Sequence, residues 1–308
     1  MKNFCDYQQI TCYKQNKKIN HILILKDGRL SSSAEDNSGI YIYDKNFQTE
    51  MIIFMPRKHE LTEVNYYIQS KNLNIIACFA FYIQIVKLET NNKYSYVQLL
   101  DNHLKTTLKV IELQNNKLIS CSIDMSVIIW KINENNGKYE KINCLFEYWD
   151  KYGDLLNILT VKNEKELITS YYNYESLIFY DIQNNYKKIT EIKNIKNNEL
   201  KDSMLEYNNL LLIGGNGIYI FNLNNYQLLG NYFMNDLGVS LILKLSNENI
   251  LLGTTSTDIV ECSLKNNEIK IINRKKNVHS QYITSIIETK EKIIFTSSAD
   301  GSIKLWKY

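Results

Sequence analysis

Leu118-Ile-Ser-Cys-Ser-Ile-Asp-Met-Ser-Val-Ile-Ile-Trp130 and Ile294-Phe-Thr-Ser-Ser-Ala-Asp-Gly-Ser-Ile-Lys-Leu-Trp306 are two copies of one pattern. Each is an apolar strand, a short turn carrying an aspartate, and a second strand ending on tryptophan. Each also follows one histidine at a fixed distance. His103 to Asp124 and His279 to Asp300 both span 21 positions, and His103 to Trp130 and His279 to Trp306 both span 27. Two coincident spacings point to an internal repeat.

Weaker copies fill the rest of the chain. Their equivalents of the tryptophan are Tyr43, Val86, Tyr180, Phe221 and Cys262, and the steps along the seven are 43, 44, 50, 41, 41 and 44. That is the period of a four-stranded propeller blade. An Asn-rich turn follows each of the first six: Lys45-Asn46, Asn91-Asn92, Asn135-Asn136, Asn184-Asn185, Asn224-Asn225 and Asn266-Asn267. Such turns suit hairpins that need positive φ, and each opens a fourth strand. The seventh copy stops at Tyr308, with no room for its fourth strand. Tyr7-Gln-Gln-Ile-Thr-Cys-Tyr13 has the aromatic-Gln start of Phe47-Gln48 and Tyr226-Gln227, and it precedes the first copy. It is expected to complete the last blade and so protect its edge. The predicted architecture is all-β: one domain, 1–308, with seven blades at about 19–55, 61–100, 103–147, 154–194, 200–234, 238–274 and 279–308, closed by the N-terminal strand 5–14.

At these residues the chain resembles the WD40-repeat family. The resemblance implies a hydrogen-bonded tetrad in blade three, His103, Ser120, Asp124 and Trp130, and another in blade seven, His279, Thr296, Asp300 and Trp306. The carboxylate would fix the histidine tautomer, and the hydroxyl would link imidazole to indole. The family's Gly before the His is replaced by Asn102 and Val278, and its Asp after the Trp by Lys131 and Lys307. Blade two has no turn aspartate, and blade five turns on Gly214-Gly-Asn-Gly217.

Composition excludes several classes. The 36 basic and 33 acidic residues leave a formal charge of +3, too balanced for a global field that gathers nucleic acid or anionic membrane. The N-terminus has no apolar core of signal-peptide length. The longest apolar run, Ile75 to Val86, is interrupted by Gln84 and falls short of the roughly 20 residues that span a bilayer. The six cysteines form no CxxC pair and read as reduced. The expectation is an intracellular protein, cytoplasmic with the nucleus left open, and not inserted in a membrane. His59-Glu60 lacks the second histidine of HExxH, no serine sits in GxSxG, and Gly214–Gly217 is followed by no GK[ST]. No catalytic residue, metal, cofactor or small-molecule substrate is expected.

Two surfaces are candidates for binding. The aromatic one is Tyr148, Trp149 and Tyr152 in the widest inter-blade loop, with Tyr172 and Tyr174 (beside Tyr171) near the next turn. Loop aromatics are favoured interface anchors, although packing over a blade edge would also explain them. The basic one is Arg57-Lys58 and Arg274-Lys275-Lys276, able to meet phosphate, an acidic peptide or RNA, or simply to be solvated. The expected function is a non-catalytic protein–protein interaction scaffold, a subunit or adaptor of a larger complex. Phosphopeptide or RNA recognition through the basic loops, and an enzyme with its site in the central channel, are the alternatives.

Overall fold

The computed structural model describes residues 8–15, 17–35, 39–44, 46–54, 63–146, 155–171, 176–193, 203–233 and 238–307. Among them all regular structure is β, in seven antiparallel four-stranded sheets. Blade 3 is typical: Thr107–Glu112, Leu118–Ser122, Ser126–Ile132 and Tyr139–Phe146 pair in chain order. Its second strand is buried at every residue, because both faces of the sheet are covered. That is why the middle strands read as continuous apolar runs rather than as alternation.

Blade 7 departs from chain order. Its strands Ile283–Glu288, Ile294–Ser298 and Ser302–Lys307 are completed by the N-terminal strand Gln8–Lys14. Gln8 lies opposite Lys307 and Lys14 opposite Ser302. The peptide N–H of Gln15 then donates to the Gly301 carbonyl at 2.6 Å.

A second regularity runs through all seven sheets. Pairing between third and fourth strands shifts by one residue at one place: Tyr43, Val86, Trp130, Tyr180, Phe221, Cys262 and Trp306 each border the shift. These are the seven tryptophan equivalents of the 41- to 50-residue repeat. A bulge adds local twist to a strand and bends it.

The hairpin turns divide their work differently from the sequence expectation. Asn91, Asn92, Asn185, Asn266 and Asn267 do take positive φ. In the other three turns the residue with positive φ is Phe47, Gly137 or Tyr226. There a side-chain oxygen one turn earlier accepts a backbone N–H two residues on: Asp44 from Asn46, Asn133 from Asn135, and Asn222 from Asn224. The short polar side chain mimics a backbone turn.

The chain separates into two compact units, residues 23–195 and residues 1–22 with 196–308. In the first, apolar cores lie between blades 1 and 2, blades 2 and 3, and blades 3 and 4. Polar clamps repeat across these joints. Lys26 N–H donates to Gln69 Oε1 and its ammonium to the Ser70 carbonyl; one blade on, Lys71 N–H donates to Glu112 Oε2 and its ammonium to the Leu113 carbonyl. In the second unit, cores join blades 5 and 6 and blades 6 and 7, and Ser246 N–H is held by the Glu288 carboxylate at 2.7 Å.

Candidate functional site

In blade 3 the spacing read from the sequence becomes a buried chain of hydrogen bonds. Trp130 Nε1–H donates to Ser120 Oγ at 2.9 Å, and Ser120 Oγ lies 2.8 Å from His103 Nε2. His103 Nδ1 lies 2.9 Å from Ser126 Oγ, which donates to Asp124 Oδ1 at 2.5 Å. Blade 7 repeats it: Trp306 to Thr296 at 3.0 Å, Thr296 to His279 at 2.8 Å, His279 to Ser302 at 2.9 Å, and Ser302 to Asp300 at 2.6 Å. The indole can only donate and the carboxylate can only accept. Each hydroxyl therefore passes its proton onward, and the imidazole carries hydrogen on Nδ1. Every donor points towards the carboxylate.

Ser126 and Ser302 are members that the family pattern omits. The signal for them is Asp-x-Ser, present in both copies. Blade 1 holds a reduced version, in which Ser32 Oγ and the Tyr43 hydroxyl lie 2.6 Å apart where blades 3 and 7 place hydroxyl and indole.

The carboxylates also fasten loops. Asp124 accepts the N–H of Leu104 at 2.6 Å, and Asp300 that of Ser280 at 2.9 Å. Burial works to raise the Asp300 carboxyl. The Ser302 hydroxyl, the N–H groups of Ser280 and Ser302, and His279 outweigh it and bring the pKa to about 2. Asp124 is likewise held below the usual carboxylate range: burial raises it, and bonds from His103, Ser126 and the Leu104 N–H more than offset that. Burial disfavours the imidazolium form of His279. Asp300 opposes this and Lys304 adds to it, and the pKa falls to about 4. In blade 7 a neutral His279 beside an ionised Asp300 fits the hydrogen bonds. These groups are turned inward on one another, and their chemistry holds loops in place.

Arg57, Lys58, Tyr148, Trp149, Tyr152, Tyr172 and Tyr174 lie outside the described residues. Tyr171 ends a strand and is buried in the core between blades 3 and 4. Of the second basic group, Arg274 Nε donates to Asp258 Oδ2 at 2.7 Å, and its Nη2 is 2.5 Å from the same oxygen. Lys275 Nζ sits 4.9 Å from the centre of the Trp306 ring, and Lys276 is exposed. Neither Asp258 nor Arg274 belongs to a recognisable motif, so sequence alone does not pair them. Among the described residues, no group of three or more His, Cys, Asp or Glu side chains is placed to hold a metal ion.

One feature of these loops faces outward. Leu104, its N–H fixed by Asp124, is 72% exposed. Phe81 is exposed in the turn between second and third strands of blade 2, and the neighbouring Ala80 carbonyl accepts the Thr107 N–H at 2.6 Å. In blade 7, Tyr282 is exposed two residues beyond the fastened Ser280.

Residues 272–307 match the family model "WD domain, G-beta repeat". No curated protein matches the sequence. A chain of the "Crystal Structure of Mitotic Checkpoint Complex" superposes with a TM-score of 0.79 at 10% identity, over 98% of this chain and 94% of that one. The WD40 β-propeller domain of Doa1 superposes with a TM-score of 0.77 at 15% identity, over 98% and 97%.

Proposed function

Given a divergent WD40-repeat propeller of seven blades, completed by its N-terminal strand, we propose that this chain is a non-catalytic interaction scaffold, a subunit or adaptor that docks other proteins. The observation that carries the reading is Leu104. A large apolar residue stands 72% exposed, its backbone N–H held by a buried carboxylate. An anchor ordered before binding loses little entropy on docking. The fold is one in which rigid sheets present loops, and one structural neighbour comes from a crystal structure of a complex. The reading includes an intracellular setting, cytoplasmic or nuclear, in keeping with Cys78, Cys121, Cys144 and Cys262 as free thiols.

The test is an affinity purification from cells with mass spectrometry, comparing the natural chain with Leu104→Asp and Trp149→Ala. At least one partner is expected to be retained by the natural chain and lost by a variant whose unfolding midpoint is unchanged. Identical capture by all three chains contradicts the reading.

A further inference from the structure

Among its described residues, blade 6 shows no network of the blade 3 kind. Counting back from Cys262, its tryptophan equivalent, Leu252 stands at the hydroxyl position and Ser256 at the aspartate position. Asp258 stands where blades 3 and 7 have Ser126 and Ser302. Its side chain is 4% exposed, and it reaches forward along the chain. One carboxylate oxygen receives Arg274 Nε and Nη2, at 2.7 and 2.5 Å. The other receives the backbone N–H of Asn277 at 2.9 Å. The next residue is also fastened to this turn, Val278 N–H donating to the Thr257 carbonyl at 3.0 Å. Both ends of the segment 274–278, which leads to His279, are thus tied to one turn of blade 6. Between them, Lys275 lies against the Trp306 indole.

We propose that Asp258 is an ionic latch: it substitutes for the missing network of blade 6, keeps the 274–278 segment docked, and withholds the Arg274 guanidinium from anionic ligands. A buried carboxylate that receives two guanidinium N–H groups and one backbone N–H is held by charge-assisted hydrogen bonds, the strong kind. Removing its charge undocks the segment and leaves the already exposed Arg274 guanidinium without its carboxylate, beside the exposed Lys276. The Arg-Lys-Lys triplet then gains the capacity to bind a polyanion that the latched chain lacks.

Amide hydrogen exchange on the intact chain tests the first half. In Asp258→Asn, the amides of Asn277 and Val278 should exchange roughly tenfold faster or more, the scale of a lost charged hydrogen bond. Those of Leu118–Ser122 in blade 3 should not change. Titration with inorganic tripolyphosphate tests the second half. Asp258→Asn should bind it about threefold more tightly than the natural chain, the scale of one released surface cation, and Asp258→Asn with Arg274→Gln should lose the gain. Arg274→Lys, a milder change that keeps the charge but not the two-pronged contact, should loosen the same two amides. Unchanged exchange at Asn277 and Val278 in both single variants overturns the latch, as does an equal rise in blade 3. Unchanged tripolyphosphate affinity overturns the withholding of Arg274.

Discussion

Asp300 does two jobs with one carboxylate: it terminates the proton-donor chain from Trp306 and fastens the Ser280 loop. Replacing it with alanine removes at once the acceptor of the Ser302 hydroxyl and of the Ser302 and Ser280 peptide N–H groups. Asp300→Ala should therefore lower stability by about 1–3 kcal/mol, the penalty of unpaired buried polar groups, read from the urea midpoint. An unchanged midpoint would reject the network as a source of stability. At this scale the sequence was only partly legible. His103, Ser120, Asp124 and Trp130 carry a spacing that can be counted. Ser126 and Ser302 were hidden, because a serine two residues after an aspartate is common and only its second partner, the imidazole from a distant loop, marks its role. The Asp258–Arg274 pair was hidden for the same reason: Arg274 reads as one cation in a basic run until the fold folds it back on its own blade.

Single elements were more legible than single contacts. The aromatic-Gln start of Tyr7–Tyr13, shared with other fourth strands, pointed to the pairing that the Gln8–Lys14 strand makes. The tightest point of that closure is Gly301. Its φ is +78°, and a Cβ placed on it would run into the carbonyl oxygens of Gln15 and Lys17. Gly301→Ala should therefore destabilise by about 1–3 kcal/mol through strain at a left-handed position and displacement of the chain beside it. The measurement is again the unfolding midpoint, and a midpoint equal to that of the natural chain would mean the N-terminal segment does not pass there. The turns were the least legible elements. Asparagine can either adopt the left-handed angle or cap its neighbour's N–H, and local sequence does not say which. Asn92 does the first, while Asn133 and Asn222 do the second.

For the molecule as a whole, the repeat was legible because every blade needs the same bulge. Seven residues as unlike as Tyr43, Val86, Cys262 and Trp306 share one place in their sheets. The tryptophan marks the position only where a network binds its indole; elsewhere any large or apolar side chain fills the space. Function was less legible, since a sheet scaffold constrains where loops stand and not what they meet. The central claim is that the chain's first strand is the outer strand of its last blade. Cross-strand nuclear Overhauser effects on a deuterated, amide-protonated sample test it most directly. The account predicts contacts that follow Gln9 opposite Trp306, Cys12 opposite Lys304 and Lys14 opposite Ser302. Contacts from Gln8–Lys14 to any other strand, or none at all, would contradict it.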